Sequence, residues 1–156
     1  MTAPAPRMHL RCTLDAGPPV ERAGLRPMAR SDASALGRLF HAAYLGTVDD
    51  EGESEDDAIA VVTGAFDGEY GEWIAPASML LEEAGQPVSA SLVTRWKGRP
   101  LLAFAVTHPD RKNEGLSRIC ATATMQALAQ AGYLELDLFV TAANAPARAL
   151  YRRLGF

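Results

Sequence analysis

The sequence predicts an α/β (α+β) domain, a sheet flanked by helices, and three observations carry that prediction. Three strand-like segments, Ser78 to Glu83, Val88 to Trp96 and Leu101 to Thr107, are separated only by Ala84-Gly85-Gln86-Pro87 and Lys97-Gly98-Arg99-Pro100, which reads as an antiparallel meander. The last segment runs through His108-Pro109 into a helix opening at Gly115, with Leu116, Ile119, Cys120, Ala123, Ala127 and Leu128 at helical spacing and Gly132 as its C-cap. A strand, Leu134 to Val140, a turn, Thr141 to Asn144, and a helix, Ala145 to Leu154, then close the order.

Upstream, the elements follow the same logic. Residues 1–23 read as an arm rich in Pro, Ala and Arg, in which Met8 to Leu14 alternates with Leu10, Cys12 and Leu14 on one side, an extra strand or a loose segment. Residues 24–156 read as the domain proper. Leu25 to Met28 is a short strand, and Ser31 is the expected cap of a helix whose apolar stripe is Leu36, Leu39, Phe40 and Ala43. A second helix begins near Ser54, where Ser54-Glu55-Asp56-Asp57 places an acid at the third helical position, and continues through Ile59, Val62 and Phe66.

With 156 residues and 48% hydrophobic content, the chain can bury one ordinary core without staples. Cys12 and Cys120 belong to no Cys-x-x-Cys pair or Cys/His cluster, so neither a disulfide framework nor a metal site is expected, and Cys120 reads as core. No apolar run suits a bilayer and no continuous apolar leader opens the chain, so a cytoplasmic protein is expected. A net charge of -4 and a pI near 5.3 oppose a nucleic-acid partner. The acids crowd Asp49 to Asp57, read first as a solvated loop and helix start and second as a patch that steers a cationic substrate.

The most informative stretch is Ala105 to Ser117. A strand ending at a proline, followed by a small-residue turn into a helix, presents unpaired backbone N–H groups where the helix dipole is positive, and such a turn suits a pyrophosphate. The chain's end, Asn144-Ala145-Pro146-Ala147-Arg148-Ala149-Leu150-Tyr151-Arg152-Arg153-Leu154-Gly155-Phe156, puts Asn144 and Tyr151 two helical turns apart on nearly one side, able to face one ligand.

Together the two motifs resemble the GNAT (GCN5-related) N-acetyltransferase family, and Leu25 to Ala33 is similar to that family's first strand and helix entry. The resemblance implies a mixed, mostly antiparallel sheet splayed between its fourth and fifth strands, with acetyl-CoA as co-substrate in the gap. It implies pantetheine on the backbone of Ala105, Val106 and Thr107 and on Asn144, and pyrophosphate on the N–H groups of Lys112, Asn113, Glu114, Gly115, Leu116, Ser117 and Arg118. It also implies Tyr151 as the general acid, a role that suits a phenol whose ordinary pKa of about 10 keeps it protonated. A Tyr packed beneath the sheet with its hydroxyl at the surface is the structural alternative.

Against the family's cradle pattern, Lys112, Gly115 and Ser117 fill the three defining positions and Gly115 alone matches outright. Asn113 stands where a glycine is frequent, Glu114 where a basic or neutral side chain is usual, and Phe139 where some relatives that acetylate proteins carry Glu. The general base stays open among Glu82, Glu83, Asp137, His108 and ordered water. Trp73, Trp96, Tyr70 and Phe66 are candidates for an acceptor pocket, with core packing their ordinary role. Relatives usually continue into further strands beyond Phe156, so an open edge on 134–140 is expected, to be met by homodimerisation, strand exchange or cover by Met8 to Leu14.

The expected function is transfer of acetyl from acetyl-CoA to a primary amine of a small molecule or peptide, with a cationic acceptor favoured. The alternative is a catalytically silent module of the same fold that binds CoA or a small ligand for sensing or complex formation. The meander before residue 107 opposes a parallel nucleotide-binding domain.

Overall fold

Two tight turns build the meander. In the computed structural model, which describes residues 5–156, β4 (Met79–Glu83), β5 (Gln86–Trp96) and β6 (Arg99–Thr107) are joined by Ala84-Gly85 and Lys97-Gly98. Both residues of each turn take positive φ, 50 and 77° in the first and 50 and 78° in the second. That geometry matches the twist of the flanking strands, so the connections are shorter and the strands longer than the Gly/Pro clusters alone predict. Pro87 and Pro100 lie inside paired strand segments.

Before the meander come β1 (Arg7–Thr13), β2 (Leu25–Pro27), α1 (Ala33–Tyr44), α2 (Glu55–Phe66) and β3 (Glu72–Trp73). After it come α3 (Leu116–Gln130), β7 (Glu135–Thr141) and α4 (Ala145–Arg153). The seven strands form one sheet in the order β1-β7-β6-β5-β4-β2, with β3 paired to β5 off that path. Every pairing is antiparallel except β6 with β7. The extra strand in the arm is β1, laid along β7 from Arg7 opposite Thr141 to Thr13 opposite Glu135. It covers the edge of β7 and leaves its own outer edge as the end of the sheet.

Alternation along the strands sends neighbouring residues to opposite faces. Leu80 and Leu92 join Leu36, Leu39, Phe40, Val62 and Phe66 under α1 and α2. Leu81 meets Leu116 and Cys120 of α3, while Val93 packs with Leu102, Leu128, Leu136, Leu138 and Tyr151. Fully burying one such Leu is worth roughly 2 kcal/mol, which makes these two layers the main stabilising element. Gly37 lets α1 and α2 touch: a methyl carbon built there would lie 2.5 Å from the Ile59 Cα.

Ser54 caps α2 as expected, accepting from Asp57 N at 3.0 Å while Asp57 Oδ2 accepts from Ser54 N at 2.9 Å. Ser31 does not cap α1. A 3₁₀ turn, Arg30–Asp32, comes first, and α1 starts behind Asp32, whose carboxylate accepts from Ala29 N at 2.7 Å and pairs with Arg26 at 2.9 Å. The shorter side chain of Ser31 loses this position because Asp32 satisfies a backbone donor and a guanidinium together.

The sheet parts between β6 and β7, its fourth and fifth strands when β1 and the short β3 are set aside. Only Leu101 with Asp137 and Leu102 with Leu138 pair across that boundary. On the other side of β6 the register slips there: Leu92 faces Phe104 and Val93 faces Leu102, so Ala103 is an extra residue. Such a bulge bends and twists its strand, and it sits where β6 leaves β7.

Candidate active site

Beyond Leu102 the backbone groups of Ala105 and Thr107, which flank Val106 and face β7, have no strand partner among the described residues, an open edge inside the sheet. Two clefts meet at this opening. The larger, about 870 Å³, runs between the end of β6, the turn before α3 and the α4 helix. The smaller, about 450 Å³, lies toward Phe104, Phe139 and the start of β1. Tyr44, Asp49, Ala105, Asn144, Ala147 and Tyr151 line both.

The turn before α3 is shaped residue by residue. Pro109–Arg111 form a 3₁₀ turn, and His108 Nδ1 accepts from Asp110 N at 3.1 Å, which makes His108 a loop cap. Asn113 and Gly115 then take left-handed φ of 66 and 77°. A methyl at Gly115 would meet nothing within 4 Å, so conformation and not space calls for glycine there. The first N–H groups of α3, at Leu116, Ser117 and Arg118, are left without helical partners and line the larger cleft. The Ser117 hydroxyl bonds that of Thr107, which in turn bonds Ser89 Oγ at 2.9 Å, tying the helix start to the end of β6.

The larger cleft is basic although the chain is acidic. Arg111, Lys112, Arg118 and Arg153 line it against one acid, Asp49. Among the described residues Lys112, Arg118 and Arg153 make no ion pair, so their charge is available to an anion. Arg111 is held by Glu83 and by Glu114, the latter at 2.8 and 3.0 Å. Glu114 is therefore turned toward Arg111, and of the residues expected to hold CoA it alone does not line the cleft.

Asn144 is the N-cap of α4: its Oδ1 accepts from Ala147 N at 3.2 Å, and its Nδ2 donates to Asp49 Oδ2 at 3.0 Å. One helical face onward, Tyr151 is 9% exposed. Its hydroxyl bonds no described residue, yet it is not among the buried polar atoms sealed without a partner, so it opens on the clefts. Burial, and after it the Asp49 carboxylate, push the Tyr151 phenol up to about 12. Burial raises the Tyr44 phenol as well. Both therefore stay neutral donors across the physiological range.

Other candidates fall elsewhere. Glu82 pairs with Arg26 at 2.9 Å and Glu83 with Arg111. Asp137, a candidate base in the sequence, is buried: its side chain is 1% exposed and held by Arg11 at 2.7 Å, His9 at 3.2 Å and Arg99 at 3.3 Å. The arm strand brings His9 and Arg11 over Asp137, which no local pattern encodes. Trp73 packs on Phe66 at 4.3 Å and Trp96 on Phe139 at 5.2 Å, and neither tryptophan lines a cleft. Burial raises the Cys12 and Cys120 thiols to about 11, consistent with inert core residues.

Asp49 was one acid among seven in its segment, and Tyr44 and Arg153 carried no signal of their own. The segment's sequence does not separate Asp49 from its neighbours; only in the structure do several of those neighbours turn to backbone donors. Asp50 accepts from Gly46 N and Gly52 N, Glu53 from Glu51 N, and Asp57 from Ser54 N.

A model of the acetyltransferase (GNAT) family matches residues 35–156. A mycothiol acetyltransferase of Clavibacter sepedonicus is 36% identical over 86 residues, 54% of this chain and 28% of that protein, so the match spans under a third of the relative. The ribosomal-protein-S18-alanine N-acetyltransferase of Escherichia coli shares the fold with a TM-score of 0.64 at 23% identity, over 84% of this chain and 75% of that one. A GNAT family acetyltransferase of Brucella melitensis, solved with acetyl-CoA, does so with a TM-score of 0.66 at 20% identity, over 85% and 80%. With the splayed sheet, the α3 cradle and this match over most of its length, the chain belongs to the GNAT acetyltransferase family.

Proposed function

We propose that the protein transfers an acetyl group from acetyl-CoA directly to a primary amine, with Tyr151 as general acid. The observation that carries this reading is the free Tyr151 hydroxyl at the junction of the two clefts. The residues present suit acetyl-CoA. The N–H groups at the start of α3, with Lys112 and Arg118, match a pyrophosphate, and Arg153 adds a further cation. The open edge of Ala105 to Thr107 matches the amides of the pantetheine arm, with Asn144 beside it. In this reading a strand N–H near Val106 donates to the carbonyl oxygen that gains charge during attack. Tyr151, neutral at pH 7, donates to the departing sulfur.

The smaller cleft suits the acceptor. Asp49 and Glu51 line it with the aromatic walls Tyr44, Phe104 and Phe139, which favours an ammonium on a slim apolar stem, from a small molecule or a peptide. The mycothiol acetyltransferase relative supports acetyl transfer in general.

Calorimetry with acetyl-CoA and desulfo-CoA tests the larger cleft: micromolar binding of either supports it, and no heat at millimolar ligand removes it. Thiol release from acetyl-CoA over an amine panel then separates a transferase from a module that only binds CoA.

A further inference from the structure

The loop from α1 to α2 carries Asp49 into the junction of the two clefts. Thr47 shapes the loop: its hydroxyl donates to Tyr44 O at 2.8 Å and accepts from Asp49 N at 3.2 Å. While Asp50, Glu53 and Asp57 are occupied by backbone donors, the Asp49 carboxylate is gripped by two other elements. Thr141 Oγ1, at the end of β7, donates to Oδ1 at 2.6 Å, and Asn144 Nδ2, at the head of α4, donates to Oδ2 at 3.0 Å. Both donors are neutral, and no cation pairs with Asp49 among the described residues. Each carboxylate oxygen accepts more than one hydrogen bond, so a further cationic donor has a place to land.

We propose that Asp49 is the base of the transfer: its carboxylate receives the acceptor's ammonium and takes one proton from it. This rests on the acetyl-transfer reading above. Proton loss to Asp49 leaves a neutral amine with its lone pair free. That lone pair forms the C–N bond at the thioester carbonyl carbon, and the C–S bond breaks with its electron pair going to sulfur. Sulfur takes a proton from Tyr151, the phenolate regains one from the nitrogen of the new amide, and Asp49 releases its proton to water. The products are the N-acetyl amine, free CoA and one proton.

The rival acids are engaged elsewhere. Glu82, Glu83 and Asp137 are each paired with an arginine and line neither cleft. The ionisable groups that share a cleft with Asp49 are Tyr44 of α1 and Tyr151 of α4 in both, Arg7 of β1 and Glu51 of its own loop in the smaller, and Arg111, Lys112, Arg118 and Arg153 in the larger. Arg7 shares the smaller cleft without pairing to Asp49, and Glu51 is exposed.

The experiment compares ethylamine, a cation at pH 7, with 2,2,2-trifluoroethylamine, which is mostly neutral there and needs no base. In the full chain, Asp49→Asn should lower kcat/KM for thiol release with ethylamine about 10²-fold and with the fluorinated amine less than about fivefold, with acetyl-CoA affinity retained. Equal loss with both amines makes Asp49 a purely structural tie, and no loss with either removes it from the site; each overturns the proposal. A wild type that binds acetyl-CoA but releases thiol with neither amine overturns the transfer reading itself. If Asp49→Asn does not fold, Thr141→Val serves. Losing that donor should move the acid limb of kcat/KM with ethylamine to higher pH, and an unmoved limb overturns the assignment.

Discussion

Asn144 and Asp49 meet through one hydrogen bond, Nδ2 to Oδ2 at 3.0 Å, while the other end of the same amide caps α4 at Ala147 N. One side chain thus starts the helix that carries Tyr151 and holds the loop that carries Asp49. The proposed acid and the proposed base are positioned by a shared neighbour.

Replacing that neighbour should be felt in both places. Asn144→Ala removes the cap and one of two donors to Asp49, and a loss of about 1 to 2 kcal/mol is expected, roughly 3 to 6 °C in Tm. Asn144→Asp keeps a cap acceptor but sets a second carboxylate against Asp49. Its deficit should grow above about pH 5 and fade in acid, where one of the two is protonated. Thermal melts of both variants across pH check this, and a pH-independent deficit for Asn144→Asp would count against the contact.

Tyr151→Phe should cut kcat about 10²-fold while leaving acetyl-CoA affinity nearly unchanged, because the ring stays packed and only the donor is lost. The sign of the phenol's shift sets a second expectation. Raised to about 12, it keeps its proton as pH rises, so the wild-type rate should show no falling limb from this group up to about pH 11. Equal losses in affinity and turnover would make Tyr151 structural.

Glu114 pairs with Arg111. Glu114→Gln leaves Arg111 tied to Glu83 and removes a negative charge beside the cradle, so it should tighten CoA binding less than about fivefold at low salt. At about 1 M salt, where screening reaches roughly 3 Å, the gain should vanish. Calorimetry at two ionic strengths reads it, and weaker binding by the variant would show that Glu114 supports the cradle.

The buried carboxylate of Asp137 predicts an acid-sensitive share of stability. Its hydrogen bonds with Arg11, and then with His9 and Arg99, hold it down at about 2, against 3.8 ordinarily. A group lowered in the folded state stabilises fully above its unfolded pKa and loses that contribution as pH falls through the folded one. Roughly 2 kcal/mol should therefore disappear between about pH 4 and pH 2. Melts of wild type and Asp137→Asn should converge across that window.

What the sequence by itself determined is local. The hairpins at Gly85 and Gly98, the capped start of α2, the helix opening after Gly115 and the spacing of Asn144 to Tyr151 are set by residues within a turn or two of one another. Side-chain period and backbone preference act over that range, and with the family resemblance they made the cradle legible. The tertiary structure decided the rest. Asp49 stands 95 positions from Asn144, and Arg11 stands 126 from Asp137. Glu114 turns to Arg111 because Glu83 of a neighbouring strand draws the guanidinium there, and the arm strand covers β7 because β7 offered an unpaired edge. In the sequence Asp49 is indistinguishable from the acids beside it. Its distinction comes from two donors on β7 and α4, whose positions follow from the packing of the whole sheet rather than from any pattern around residue 49.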